Sequence, residues 1–415
     1  MKTKFILLFL FISGSITAQE IARFEVNSGK LSRLDAQVCV PLNGLNFNTD
    51  SINFSLYELV GKAETSIPFQ VENGYTTNLW FVLSGKAEPG KKRLFVLKKT
   101  NEPFNLQPVI SLSVNETVTL INFRDKPVLS YNHAVVSPPA GVDPKYRRSG
   151  FIHPLWAPSG EILTRIQAPD HYHHYGIWNP WTVTHIDGKE VDFWNLAKGQ
   201  GTVKFAGYLD AVEGMVYGGF RVRQEHVVLP EETIAINEVW DVRTWNPGND
   251  KTRIVDLITT LNTPLKNGIM LDAYRYGGGI GYRALGKWDK NNSSVLTSSG
   301  KTRADADGTF ARWCIVEGES VAEEGKSGIL FLSHPSNRMH PEPMRVWPSD
   351  TNGRGDLYFE FVPIRHTGWK LEPKQNYTLK YRMVVYDGHM DKETADLYWN
   401  SFAYLPEVRF IGWKK

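Results

Sequence analysis

The sequence predicts an all-β protein built as a small β-sandwich followed by a large antiparallel one. Three observations carry this. Apolar and polar residues alternate with period two over many short runs, Gly, Asn and Pro punctuate those runs, and a helical apolar stripe stands out once, near the C-terminus. A chain of 415 residues exceeds one ordinary domain, so two or three are expected.

Residues 1–18 read as a secretory signal peptide. Lys2 and Lys4 precede an apolar run over 5–12, and small residues lead to Ala18; the run is too short for a permanent bilayer span. Export to the periplasm or the exterior follows. Removing this segment takes away two lysines and no acid, so the formal charge falls from +3 to +1. Such a balance argues against nucleic acid as the main partner. Cys39 and Cys314 each sit inside an apolar run and are read as buried thiols rather than a disulfide framework.

Residues 19–105 carry short alternating runs at 36–40, 52–57, 79–83 and 93–97, the pattern of a small immunoglobulin-like sandwich. The polar, proline-bounded stretch 100–108 reads as a linker. Residues 106–415 form the large domain, with strands expected at 111–123, 127–136, 202–212, 219–228, 233–245, 253–262, 309–316, 328–333 and 377–386. Few helical patterns interrupt them, which implies a large sandwich or distorted barrel. One helix is expected over 392–402, where Ala395, Leu397, Tyr398 and Phe402 make an apolar stripe.

Parity picks out two carboxylates. Period two puts Ile234, Ile236, Glu238 and Trp240 on one face, and the loop around Pro230 sets Gln224 of the preceding strand opposite Glu238. In the next strand Ile254, Asp256 and Ile258 point together. A buried carboxylate must be paired, hydrogen-bonded or facing a wet cleft, so Glu238 and Asp256 are candidate catalytic groups.

The stretch Asp170-His171-Tyr172-His173-His174 places three of the chain's eleven histidines and a carboxylate within five consecutive residues. Imidazoles donate, accept, ligate metals and titrate near neutrality, so this density points to a site. His171, His173 and His174 are the candidate acid/base residues. They are also candidate ligands for a divalent metal, with His153, Asp170, His334 or His340 able to complete a set. Thirteen tryptophans and seventeen tyrosines supply flat apolar faces for sugar rings, and Trp156, Trp178, Trp181 and Trp194 flank the cluster. His153 precedes it. Further on, Ser333-His334-Pro335-Ser336-Asn337-Arg338-Met339-His340-Pro341 leaves an apolar strand end, making Asn337 and His340 candidate substrate contacts. The run Tyr274-Arg275-Tyr276-Gly277-Gly278-Gly279-Ile280-Gly281-Tyr282-Arg283 lacks the Lys-Ser/Thr of a nucleotide loop. Its glycines suit a bulge or a close approach of backbone to ligand, leaving Arg283 as an anion or carboxylate partner.

Taken together, Gly150-Phe151-Ile152-His153-Pro154, the segment Pro169 through Trp178, Asp192-Phe193-Trp194, the glycine run with Arg283, and His334-Pro335-Ser336-Asn337 resemble the PmoA-like family of secreted bacterial proteins, which carries a methane oxygenase label. That family's pattern at the cluster is Asp-His-Pro-His-His-Arg-Gly. Asp170, His171, His173, His174 and Gly176 match it, while Tyr172 replaces the proline and Tyr175 the arginine. The resemblance implies a site at these residues and no particular reaction. Membrane-embedded methane chemistry is not expected, because beyond residue 18 no apolar run approaches the roughly 20 residues of a spanning helix.

The leading expectation is an exported carbohydrate-active enzyme whose large domain resembles the galactose mutarotase supersandwich. It would cleave a glycosidic bond by hydrolysis or elimination, the histidines exchanging protons and Glu238 or Asp256 as partner carboxylate. A glycan or small sugar is the expected partner. The alternatives are a noncatalytic glycan-binding protein and a metal-dependent oxidoreductase.

Overall fold

The computed structural model describes residues 19–43, 53–100 and 107–413; residues 1–18, expected as a signal peptide, and residues 101–106 of the expected linker lie outside them. The protein is all-β, with one α-helix among the described residues. No helix there is long and apolar enough to cross a membrane.

The small sandwich packs a five-stranded sheet on a three-stranded one. Phe24, Val38, Phe81 and Phe95 fill the space between them. The last strand, Glu407–Trp413, falls within the span expected to form the large domain. It instead returns to pair with Glu20–Asn27 at the edge of the small sandwich. Both cysteines are free thiols; Cys314 is buried and Cys39 half-buried.

The large domain is a sandwich of an eight-stranded and a nine-stranded antiparallel sheet. The eight-stranded sheet runs Gly201–Val212, Tyr217–Val228, Thr233–Trp245, Thr252–Asn262, Tyr377–Asp387, Lys326–Ser333, Trp313–Glu319 and Ser293–Thr297 in spatial order. The expected register holds, with Gln224 opposite Glu238. The strands Thr252–Asn262, Tyr377–Asp387 and Lys326–Ser333 are largely buried on both faces, and the two carboxylates lie on opposite faces of the sheet. Glu238 faces inward with Ile236, Trp240 and Val242, toward the nine-stranded sheet. Asp256 lies on the opposite face with Ile254 and Val384, toward the helix Lys392–Ala403 and the small sandwich.

That outer face docks the two domains. Arg382 donates to Asp256 through Nε at 2.6 Å and Nη2 at 2.8 Å, and to Gln37 of the small sandwich at 2.6 Å. The helix begins at Asp391, whose carboxylate accepts from the Thr394 N–H at 2.7 Å. Ser401 on its buried side donates to the Leu34 carbonyl at 2.8 Å.

The nine-stranded sheet positions the histidines. Its central strands are Phe151–Leu155, Ile177–Trp178, Ile280–Arg283, Tyr358–Phe361 and Glu342–Val346. Alternation sends Ile152, Ile177, Tyr282, Phe359, Met344 and Val346 into the main core. Their neighbours Phe151, Trp178 and Tyr358 go to the other face, where they join Tyr175, Trp194 and Trp347 in a separate aromatic cluster. Arg283, Glu360 and Arg345 alternate onto that same face.

Candidate functional site

The strand His171–Tyr175 folds back on Ile166–Ala168 as a hairpin lying over this aromatic face. All three imidazoles converge there. The ring of His171 stacks on His174 at 4.6 Å with 25° between planes, and His173 stands 5.4 Å from His171 and 4.8 Å from His174. They line a cleft of about 250 Å³ with Trp194, Asn195, Arg275, Tyr276, Arg345, Trp347, Thr351 and Tyr358.

Arg283 organises the cluster from below. Its side chain is 1% exposed, lies over the Trp347 ring at 4.6 Å and donates from Nη2 to Asp170 Oδ2 at 2.7 Å. Burial works against the Asp170 charge, yet the hydrogen bond with His171 and the Arg283 guanidinium hold its carboxyl well below the usual carboxylate range. An ionised carboxylate only accepts, so the Nδ1 of His171, 2.9 Å from Asp170 Oδ2, donates to it, and Nε2 is the ring nitrogen that Asp170 leaves unengaged. The result is a carboxylate–imidazole dyad.

The two neighbouring imidazoles are neutral at pH 7. Burial, reinforced by the other cationic groups of the cluster, lowers His173 to about 4 and pushes His174 well below its ordinary value. Arg283 Nη1 lies 3.4 Å from His174 Nδ1. As a guanidinium only donates, His174 accepts there and presents its proton on Nε2. No hydrogen bond to the His173 ring occurs among the described residues.

Two tyrosines complete the lining. The Tyr276 hydroxyl accepts from Asn195 Nδ2 at 3.2 Å, and burial pushes it up to about 12. Tyr358 donates to Glu360 Oε2 at 2.5 Å. Glu360 also accepts from the Gly277 N–H at 2.7 Å, and its burial raises it to about 8, so it is a neutral acid at pH 7. Arg345 is held by Asp307 at 2.7 Å. Arg275, exposed and resting on the Tyr276 ring at 5.8 Å, has no carboxylate partner among the described residues.

Several expected site residues lie elsewhere. Glu238 is fully buried between the sheets, accepting from Asn179 at 2.5 Å, Trp240 at 2.8 Å and Thr259, with His226 Nε2 at 2.9 Å. Asp256 is held by Arg382 and Trp245 on the sheet's other face. Neither reaches the cleft, because two sheet faces separate them from each other and a whole sheet separates Glu238 from the histidines. His153 is tied to Thr164 Oγ1 at 2.9 Å, with burial lowering it to about 4. Trp156 bridges to Ile162. Trp178 supports the lining from behind, 5.0 Å from His174 and 4.9 Å from Trp194. Asn337 fixes a turn, donating to the Lys380 carbonyl and to Glu342 at 2.9 Å each, and His340 stacks on Trp399 of the helix.

The glycine run approaches protein rather than ligand. A Cβ at Gly278, where φ is +75°, would meet the Trp181 ring at 2.0 Å, and one at Gly279 would meet the Phe361 carbonyl at 2.0 Å. The close fit carries Arg275 and Tyr276 to the cleft. Among the described residues no three His, Cys, Asp or Glu side chains are placed to hold a metal ion. His171 and His174 lie ring on ring and His171 commits Nδ1 to Asp170, so the three imidazoles do not point at one centre.

The fold and site define an all-β sandwich protein with a histidine- and arginine-lined cleft on an outer sheet face. The chain belongs to a family of unknown function, DUF6807, whose model matches residues 119–400. Curated proteins give no match. Among solved structures it is similar to a protein in the glycosyl hydrolase family 38 from Enterococcus faecalis, at 10% identity and a TM-score of 0.43, covering 94% of this chain and 47% of that one. The chain thus spans about half the length of that protein. It is also similar to a galactose mutarotase related enzyme from Lactobacillus acidophilus, at 9% identity and a TM-score of 0.28, covering 68% of this chain and 99% of that one.

Proposed function

We propose that this is an exported carbohydrate-active enzyme that cleaves an anionic, uronate-containing glycan by β-elimination. The observation that carries the reading is the make-up of the cleft: three imidazoles, two arginines and two tyrosines, with no carboxylate lining it among the described residues. Hydrolysis in its usual form needs two carboxyl groups flanking the bond. Elimination needs a base, a cation for the sugar carboxylate and an acid for the leaving oxygen, and those are the groups present.

In the reaction, the Arg275 guanidinium pairs with the uronate carboxylate and the His174 Nε2–H donates a hydrogen bond to it, which acidifies the adjacent C5–H. His171 Nε2, oriented by Asp170, takes that proton. The C5–H electron pair becomes the C4=C5 double bond as the C4–O4 bond breaks, and Tyr276 gives its proton to the departing oxygen. Water then reprotonates Tyr276 and receives the proton from His171.

Incubation with a panel of polyuronates, followed by the ultraviolet absorbance of the conjugated product, tests this. Unsaturated product that disappears in His171→Ala is the expected result. Saturable binding without product would make the protein a glycan binder, and product with only saturated ends would return the reading to hydrolysis.

A further inference from the structure

One carboxylate stands directly behind the histidine cleft without lining it. Asp192 belongs to the segment Asp192-Phe193-Trp194 and is fully buried. Its Oδ1 accepts from the backbone N–H groups of Trp194 and Asn195 at 2.9 Å each. Its Oδ2 accepts from Asn195 Nδ2 at 2.7 Å, pairs with Lys198 Nζ at 2.9 Å and takes the Thr182 hydroxyl at 3.3 Å. Trp194 and Asn195 both line the cleft, so Asp192 anchors the turn that delivers them.

The bond to the Asn195 side chain also sets a direction. A primary amide has nearly the same shape when turned over, and only its partners decide which end faces where. A carboxylate paired with a lysine accepts and does not donate, so Asp192 Oδ2 draws the nitrogen end of Asn195 toward itself. One N–H is committed there. The other lies between the Tyr276 hydroxyl oxygen at 3.2 Å and Thr182 Oγ1 at 3.3 Å, while Asn195 Oδ1 stands farther from Tyr276, at 3.4 Å. Tyr276 accordingly accepts from Asn195 and keeps its own proton for the cleft. Once that proton has left, the same N–H faces a phenolate, and a hydrogen bond to an ionised oxygen is the stronger kind. Turning the amide over would reverse both effects: Oδ1 would draw the Tyr276 proton away from the sugar and would repel the phenolate.

We propose that Asp192 is a positioning residue that acts through Asn195 to keep the Tyr276 proton directed at the leaving oxygen. Its part in the reaction rests on the elimination reading; the orientation of the amide does not.

Asp192→Asn tests this with the least change of shape. The two backbone N–H groups hold an oxygen at the Oδ1 position, so the new amide nitrogen falls where Oδ2 was and meets Asn195 donor to donor. Asn195 then turns over. On a polyuronate, kcat should fall roughly 100-fold with KM unchanged, the lower end of what a positioned proton donor contributes. On a uronate carrying para-nitrophenoxide at C4, a group that departs without a proton, the variant should match the wild type, whereas His171→Ala should fail on both. Asn195→Ala, which removes the donor and leaves Asp192 in place, should show the same contrast between substrates. Equal losses on the two substrates would make Asp192 merely structural and overturn the proposal, as would an undiminished kcat on the polyuronate.

The ¹³C resonance of the Tyr276 Cζ, assigned by its absence in Tyr276→Phe, reads the amide without turnover. A hydroxyl that donates shifts this carbon downfield, toward its phenolate position. A downfield move in Asp192→Asn is expected, and an unmoved resonance overturns the orientation. If the wild type turns over neither substrate, the elimination reading fails and takes the catalytic part with it, while a downfield move still sustains the hold of Asp192 on the amide.

Discussion

At the scale of single residues, the structure separates groups that look alike in sequence. His171 and Glu238 are both ionisable groups that the sequence marks as catalytic candidates, but one opens on a cleft and the other is sealed by four hydrogen-bonding neighbours. Their variants should therefore fail in different ways. His171→Ala is expected to lower kcat roughly 100- to 10,000-fold and leave stability within about 0.5 kcal/mol, read by turnover and denaturant unfolding on the same preparation. Glu238→Ala strands His226, Asn179 and Trp240 and should cost about 3–5 kcal/mol; an unfolding midpoint equal to wild type would contradict the structural role.

Two buried acids set an alkaline limit. Burial raises Glu360 to about 8 and Glu342 to about 7, above the 4.5 of an exposed glutamate. Between 4.5 and those values the folded state holds protons that the unfolded state has released. Their stabilising contribution is thus full below pH 4.5 and is lost as pH rises through 7 to 8, by about 1.4 kcal/mol per pH unit per group. Glu360→Gln, which keeps the shape and cannot ionise, should flatten that slope in unfolding experiments from pH 5 to 9. It should also relieve the fall in kcat/KM expected above pH 8, where a negative charge under Tyr358 would repel an anionic sugar. His173, lowered to about 4 by burial, has the opposite sign: its contribution is full above 6.5 and is lost as pH falls through 4.

At the scale of elements, strand parity is what places the site. The alternation Ile280, Gly281, Tyr282, Arg283 sends one pair into the core and the other to the cleft face, and 358–361 repeats it with Tyr358 and Glu360 outward. A one-residue slip in either strand would exchange these sets. The same logic makes the glycine run a structural requirement. Gly278→Ala is expected to destabilise the fold, because the added carbon meets Trp181 at 2.0 Å at a φ of +75°. With Arg275 and Tyr276 displaced, KM for an anionic substrate should rise as well; a variant with unchanged melting and unchanged KM would show that the loop has room the geometry denies it.

At the scale of the whole molecule, the chain closes on itself. Glu407–Trp413 completes the small sandwich, and Arg382 joins Asp256 to Gln37 across the two domains. Truncation after residue 406 leaves the strand Glu20–Asn27 as an open edge. It should lower the melting temperature of the small sandwich and speed its limited proteolysis, with the histidine cleft and its turnover unaffected.

The histidine cluster, the all-β class, the Gln224–Glu238 register and the single helix were legible in the sequence, since each rests on neighbours along the chain or on a period of two. Parity also showed that Glu238 and Asp256 point among apolar residues. It could not show what lies across from them, and a carboxylate facing a partner-filled core gives the same pattern as one facing a cleft. Arg345, Tyr358 and Glu360 come from strands far along the chain, with Trp347 just past the end of one of them, and none carries a local mark of a site. Only the stacking of two sheets, with a hairpin folded over the outer face of one, brings them to the imidazoles, because side-chain convergence depends on which strands become neighbours and periodicity carries no information about that.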